Sequence, residues 1–254
     1  MRRSESIMNS LVLMLSLVLV SSAVSAESAA GILEKVDRVG HTESTKMDLM
    51  QVVINPSGEK RSFRMMSWSQ NGNEKGLTEY VYPSQVTGMK ILTLNEGDDI
   101  WTYFPRTNRT RKIASSARNR RVQGSDFTYD DMASGKMAKQ WKGKVAGSEK
   151  IKGKDCYRLE VKPTASGPKS YSKAVVWVGK SEYTVARVEY YDLDGDRSKR
   201  LNISDYRKIS GVLVPMKYTM TNLLDGGKTV MKAENVKVNV KLEKGLFSEA
   251  NLGR

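Results

Sequence analysis

Most of this chain reads as a series of short strand-like runs, two of which alternate cleanly between apolar and polar positions, and short clusters of Asn, Asp, Gly and Pro separate the runs. Val212, Val214, Met216, Tyr218 and Met220 share one face of an extended segment, and Val236, Val238 and Val240 alternate with Lys237, Asn239 and Lys241. A period of two with one polar face describes antiparallel strands whose other face lies on a core. Strand-like runs cover 45–55, 61–70, 75–82, 89–95, 99–105 and 109–114, then 142–150, 154–162, 172–179, 183–192, 198–208, 212–222 and 228–241. Asn55-Pro56-Ser57-Gly58, Asn71-Gly72-Asn73, Asp194-Gly195-Asp196 and Asp225-Gly226-Gly227 mark turns between them. Regular strands with such turns predict a meander that curls into a barrel. A single helix precedes it over 28–39, with Ile32, Leu33, Val36 and Val39 on one face. No repeat or linker interrupts residues 27–254, which read as one mainly β domain.

The first 26 residues read differently. Arg2 and Arg3 are followed by an apolar run from Leu11 to Val20 and then by Val24-Ser25-Ala26. A basic start, a short apolar core and a small-residue exit predict a secretory signal cleaved between Ala26 and Glu27. The run is about half of the roughly 20 residues that a spanning helix needs, which disfavours an uncleaved anchor. The expected location is therefore the periplasm. The one Cys, Cys156, does not follow the cleavage site, so no lipid anchor is expected, and a lone Cys excludes an internal disulfide. Cys156 reads as a strand thiol without a His to activate it. The net charge of +14 stays strongly positive without the leader, which suits anionic lipid or an acidic partner; nucleic acid is scarce outside the cytoplasm. The 13 methionines suit either an adaptable apolar surface or ordinary core filling.

Residues 115–140 break the strand pattern. Gly124-Ser125-Asp126-Phe127-Thr128-Tyr129-Asp130-Asp131-Met132 offers an N-cap, Ser125 or Asp126, before a short helix. A helical insert in a curled sheet would cover its open side and close an apolar cavity. Just upstream, Arg106, Arg109, Arg111, Lys112, Arg118, Arg120 and Arg121 fall within sixteen residues without an acid. Three readings stand: a solvated loop, a docking patch for anionic headgroups or an acidic partner, or ion pairs with Asp126, Asp130 and Asp131. Enzymatic readings find little support. His41 is the only histidine, no Gly-x-Ser-x-Gly elbow occurs, and the aspartates lack the ligand alternation of a calcium loop. No catalytic residue, metal or cofactor is expected.

Trp101-Thr102-Tyr103-Phe104-Pro105, then Arg111-Lys112-Ile113, then Gly124-Ser125-Asp126-Phe127-Thr128-Tyr129-Asp130-Asp131 resembles the signature of the outer-membrane lipoprotein-sorting protein family, similar to LolA/LolB-type carriers. Supporting marks are Pro83, Gly88 and Leu92 upstream, and Lys154-Asp155-Cys156-Tyr157, Tyr171-Ser172-Lys173 with Trp177, and Ser204-Asp205-Tyr206 downstream. Two departures are Phe104, where Leu is usual, and the polar Asn119–Gln123 stretch, where the family often has Phe-Met. The resemblance implies an incomplete antiparallel β-barrel with a helical lid over a hydrophobic cavity that holds the acyl chains of lipids or lipoproteins. It assigns Trp101, Tyr103, Phe104, Pro105, Gly124, Ser125, Asp126, Phe127, Tyr129 and Met132 to cavity and lid. It also implies association with inner-membrane transporters of the resistance–nodulation–division type; an accessory protein that docks on such a transporter is the alternative to a carrier. On the strand that holds the first motif, Trp101 and Tyr103 share one face and Ile100 and Phe104 the other. Either face is open to line the cavity.

Overall fold

The structure, a computed structural model, describes residues 27–133 and 135–253. The expected leader, Ala26 included, lies outside the described residues. Helix α1 (Ala29–Val39) starts at Ser28, whose hydroxyl accepts from the Gly31 N–H at 3.1 Å, a standard way to satisfy a free helix-start amide. Its apolar stripe buries Ala29, Ile32 and Leu33.

Thirteen strands follow. The first six are β1 (Ser44–Ile54), β2 (Lys60–Gln70), β3 (Lys75–Tyr82), β4 (Lys90–Leu94), β5 (Asp99–Phe104) and β6 (Arg109–Lys112). Two single-turn helices, α2 (Tyr129–Met132) and α3 (Met137–Gln140), interrupt the strands. The rest are β7 (Trp141–Ile151), β8 (Lys154–Pro163), β9 (Lys173–Gly179), β10 (Val185–Tyr191), β11 (Arg197–Ile209), β12 (Val212–Asn222) and β13 (Lys228–Val238). All pair antiparallel in one sheet of order β6-β5-β4-β3-β2-β1-β13-β12-β11-β10-β9-β8-β7. Two meanders thus meet where the first strand pairs with the last. The sheet does not close: β6 and β7 remain as its two edges, and residues 113–140 run from one edge to the other.

One face carries the main core. Leu49 and Val53 of β1, Phe63 and Met65 of β2, Ile100 of β5, Leu159 of β8, Val188 of β10 and Met220 of β12 all belong to it. In β13 the inward set changes from Met231 and Ala233 to Val236 and Val238. A bulge opposite Lys46/Asp48, with Asn235 at φ 50°, inserts the residue that makes this possible. The opposite face holds a smaller cluster of Leu77, Leu92 and Leu252 with Trp68, Trp101, Leu246 and Phe247. The C-terminal segment covers it.

Strand register sorts the turns into two ends. The turns β1–β2, β3–β4, β5–β6, β10–β11 and β12–β13 lie at one end, and α1 with the β2–β3 and β4–β5 turns at the other. Four large apolar side chains are prominently exposed, Val81, Tyr82, Leu193 and Leu224. All four belong to the end with the β1–β2 turn.

Candidate functional site

A cavity of about 490 Å³ lies between the core face, the C-terminal part of α1 and the segment that holds α2 and α3. Its size falls within the range of ligand pockets, about 300–1,000 Å³. Val185, Val188, Leu201, Ile203, Val214 and Tyr218 form one wall. Trp141, Tyr171 and Tyr190 make an aromatic corner, with Tyr171 and Tyr190 stacked at 4.5 Å and Trp141 6.4 Å from Tyr190. Burial pushes the Tyr218 phenol up to about 12 and raises those of Tyr171, Tyr190 and Tyr206 as well, so these rings stay neutral at physiological pH. The Tyr206 hydroxyl donates to the Val185 carbonyl at 2.9 Å, which holds that ring against the wall.

The roof is the Gly124–Met132 segment. Gln123 and Gly124 both adopt positive φ, and Gly124 sits so close to Arg61 that a Cβ there would lie 2.5 Å from its guanidinium. Val122, fully buried, donates its N–H to the Phe127 carbonyl at 2.9 Å, and a β-bridge joins Arg121 to Thr128. Val122 and Phe127 supply apolar contacts where the Asn119–Gln123 stretch is otherwise polar.

Three aspartates then tie the roof down. The Asp126 N–H donates to Thr229 Oγ1 at 2.9 Å, and that hydroxyl donates back to Asp126 Oδ2 at 2.7 Å, which fixes the turn to β13. Asp130 Oδ2 accepts from the Lys169 and Ser170 N–H groups and from Ser170 Oγ, at 2.8, 2.9 and 2.6 Å. Asp131 accepts from Tyr171 OH at 2.6 Å and pairs with Lys199 of β11 at 3.0 Å. Burial holds the Asp126 carboxyl above its ordinary range, against the pull of Thr229 and Arg121. The helix start differs from the expected one. Thr128, not Ser125 or Asp126, caps α2, and Asp131 returns the hydrogen bond as the second half of a capping box. Ser125 instead donates to the Phe127 carbonyl inside the turn, and Asp126 is committed to β13.

Of the motif residues, Phe127 and Met132 line the cavity and Tyr129 packs on the core beside it. Gly124, Ser125 and Asp126 shape and anchor the turn. Trp101 and Tyr103 lie on the opposite face of β5, under Leu252 and Phe247, away from the cavity. Ile100 and Phe104 take the core-side face, with Ile100 fully buried and Phe104 half-buried. Pro105 packs beside Gly88 in the neighbouring turn.

The basic segment divides. Arg118 is buried: its guanidinium donates to the Asp98 carbonyl and lies 3.6 Å from Asp130. This corrects its expected place in an exposed patch. Arg121 pairs with Asp225 at 2.5 Å and approaches Asp126 at 3.8 Å, and Lys112 pairs with Asp99 at 2.5 Å. Arg106, Arg109, Arg111 and Arg120 are exposed. The ion-pair and solvated readings thus each hold for part of the segment.

Sequence reading did not single out Trp141, Tyr171, Tyr190 and Tyr206 as cavity residues; their core-side phase in the strand alternation was the available signal. His41 follows the end of α1 at the cavity rim. Cys156 is fully buried on β8, where burial pushes its thiol up. Among the described residues no helix is long and apolar enough to cross a membrane.

No curated protein matches the sequence. Among solved structures, the chain is similar to a DUF1329 family protein from Desulfovibrio piger (24% identity, TM-score 0.82, covering 88% of this chain and 97% of that one). It is also similar to an outer-membrane lipoprotein-sorting protein domain from Vibrio parahaemolyticus (26%, 0.81, 89% and 98%). A third likeness is to a LolA superfamily protein from Nitrosomonas europaea (22%, 0.73, 89% and 99%). A family model described as “uncharacterized protein” matches residues 72–254. Its fold is thus LolA-like, and the chain belongs to the family of that model.

Proposed function

We propose that this protein is an exported, periplasmic carrier that shields the acyl part of a lipid or lipoprotein in its cavity. The observation that carries the reading is the apolar and aromatic wall beneath a roof that Asp126 and Asp131 tie to β13 and β11 and Asp130 ties to the β8–β9 loop. Each methylene moved from water into such a wall gains about 0.8 kcal/mol, enough for an acyl chain to stay bound yet leave when a better site is offered. The chemistry of the site is binding: its buried carboxylates are used up in anchoring the roof. Cleavage after Ala26 would release the carrier into the periplasm, and N-terminal sequencing of the exported protein should read from Glu27.

Native mass spectrometry with lipid extraction, together with a fluorescent fatty-acyl probe, tests the reading. The wild type should bind the probe and release it to added lipid. Phe127→Asp and Met132→Asp each bring an unpaired charge against the acyl chain, which is costly in an apolar site, and should lose the probe with unchanged circular dichroism. A wild type that binds no probe and carries no lipid would remove the carrier reading and leave the accessory one, a protein that docks on an inner-membrane transporter. The exposed Val81, Tyr82, Leu193 and Leu224 at one end, with Arg106 and Arg109 in the β5–β6 turn nearby, suit a contact with an anionic membrane or a partner in either case.

A further inference from the structure

The two walls of the cavity differ in kind. Opposite the apolar wall of β10–β12, strands β1–β3 set Ser67, Ser69 and Thr78 beside the apolar Met47 and Leu49, and Thr42 and Thr45 line the cavity as a hydrogen-bonded pair at 2.8 Å. Ser67 Oγ and Thr78 Oγ1 lie 3.5 Å apart, a weak contact that leaves both hydroxyls able to bond elsewhere. The same sheet face also carries buried polar groups outside the cavity lining. Gln51 of β1, Tyr80 of β3 and Thr102 of β5 alternate with core residues, are fully buried, and leave Gln51 Nε2 and Oε1, Tyr80 OH and Thr102 Oγ1 without a hydrogen-bond partner among the described residues. Within the cavity itself it is the Ser67, Ser69 and Thr78 hydroxyls that a ligand would cover, and covered hydroxyls are costly unless satisfied, so this part of the wall suits a partner with hydrogen-bonding groups.

That partner carries no net charge. Arg118 lies against Asp130 at 3.6 Å, Asp131 against Lys199 at 3.0 Å, and Lys136 against Glu96 at 3.6 Å. Asp37 accepts from the Met137 and Ala138 N–H groups at 2.8 and 2.9 Å. The charged groups at the cavity are therefore already matched, apart from His41, which is exposed at the rim. A phosphate or carboxylate headgroup would enter a pocket with no unpaired Lys or Arg in its lining to meet it, at the cost of losing its water.

We infer, on the basis of the carrier reading, that the ligand is a neutral amphiphile: its hydrocarbon part lies against β10–β12 and an uncharged head bearing hydroxyl, ester or amide groups lies against Ser67, Ser69 and Thr78. Displacement of a bound fluorescent acyl probe by 1-lauroylglycerol, dodecanoate and dodecyl phosphate, three twelve-carbon chains that differ in the head, tests it. The neutral glyceride should displace the probe at about tenfold lower concentration than either anion, a difference that one or two good hydrogen bonds supply. Ser67→Ala combined with Thr78→Val, or Ser69→Ala if that pair impairs folding, should erase the preference while probe binding persists. Equal or better displacement by an anion overturns the inference and leaves the carrier standing. Failure of the wild type to bind the probe overturns both.

Discussion

Asp126 is a buried acid whose role is that of an acceptor. Thr229 donates to it and Arg121 approaches it, yet burial dominates and holds its carboxyl above the ordinary range. A neutral group of the same shape therefore fits the site. Asp126→Asn keeps an oxygen for Thr229 and should change stability by less than about 1 kcal/mol, whereas Asp126→Ala leaves the Thr229 hydroxyl without its acceptor and should cost about 1–3 kcal/mol in urea unfolding. The sequence offered these aspartates, as one of three readings, as partners for nearby arginines, and Arg118–Asp130 and Arg121–Asp126 are such pairs. It did not show which residue starts α2. Ser125, Asp126 and Thr128 are all good caps, and only the hold of Thr229 on Asp126 leaves Thr128 to the helix. The face of Trp101 was equally hidden: alternation sorts side chains into two sets, but the C-terminal segment, distant in sequence, decides which set lies under cover.

At the scale of elements, all thirteen strands were legible, because period-two patterning and Asn/Gly turns are local signals. The basic segment was not, since seven cations in a row look alike until Asp98 and Asp130 select Arg118 for burial. Changing Arg106, Arg109 and Arg120 to Ser should weaken binding to anionic liposomes, most clearly at low salt, because exposed charges are screened over about 8 Å at physiological ionic strength. Arg118→Ser should instead lower stability; liposome binding unchanged by the triple variant would leave those arginines a solvated face. Helix α3 is held from two sides. Lys139 and Lys136 pull the Glu96 carboxyl below its ordinary value of 4.5, so this tie contributes above that pH and is lost as pH falls through the lowered value. Asp37, held above its ordinary value by burial, acts with the opposite sign and takes its proton first. The protection factors of the α3 amides, with the intrinsic pH dependence of exchange divided out, should therefore fall in acid below pH 4.5. Glu96→Gln should remove that dependence, and an unchanged profile in the variant would assign it elsewhere.

The whole molecule is an open sheet whose two halves are each a run of neighbours. An incomplete barrel was legible in the sequence, but the order of its strands was not: nothing local says that β1 pairs with β13 or that β6 and β7 are left as edges. That one junction sets the kinetics. Every other strand pair joins consecutive segments, while Ser44 and Val240, at the junction, lie 196 positions apart. Contacts between consecutive strands close short loops and form early, but the β1–β13 seam must bring together the two ends of the chain and carries the largest single entropy of closure. In pulse-labelling during refolding, the amides of the β11–β12 hairpin should be protected before those of the seam, and simultaneous protection would show a single concerted step. Until the seam closes, each half displays an unpaired strand edge and a bare apolar face. The slow step thus sets how long a newly made chain stays vulnerable to aggregation.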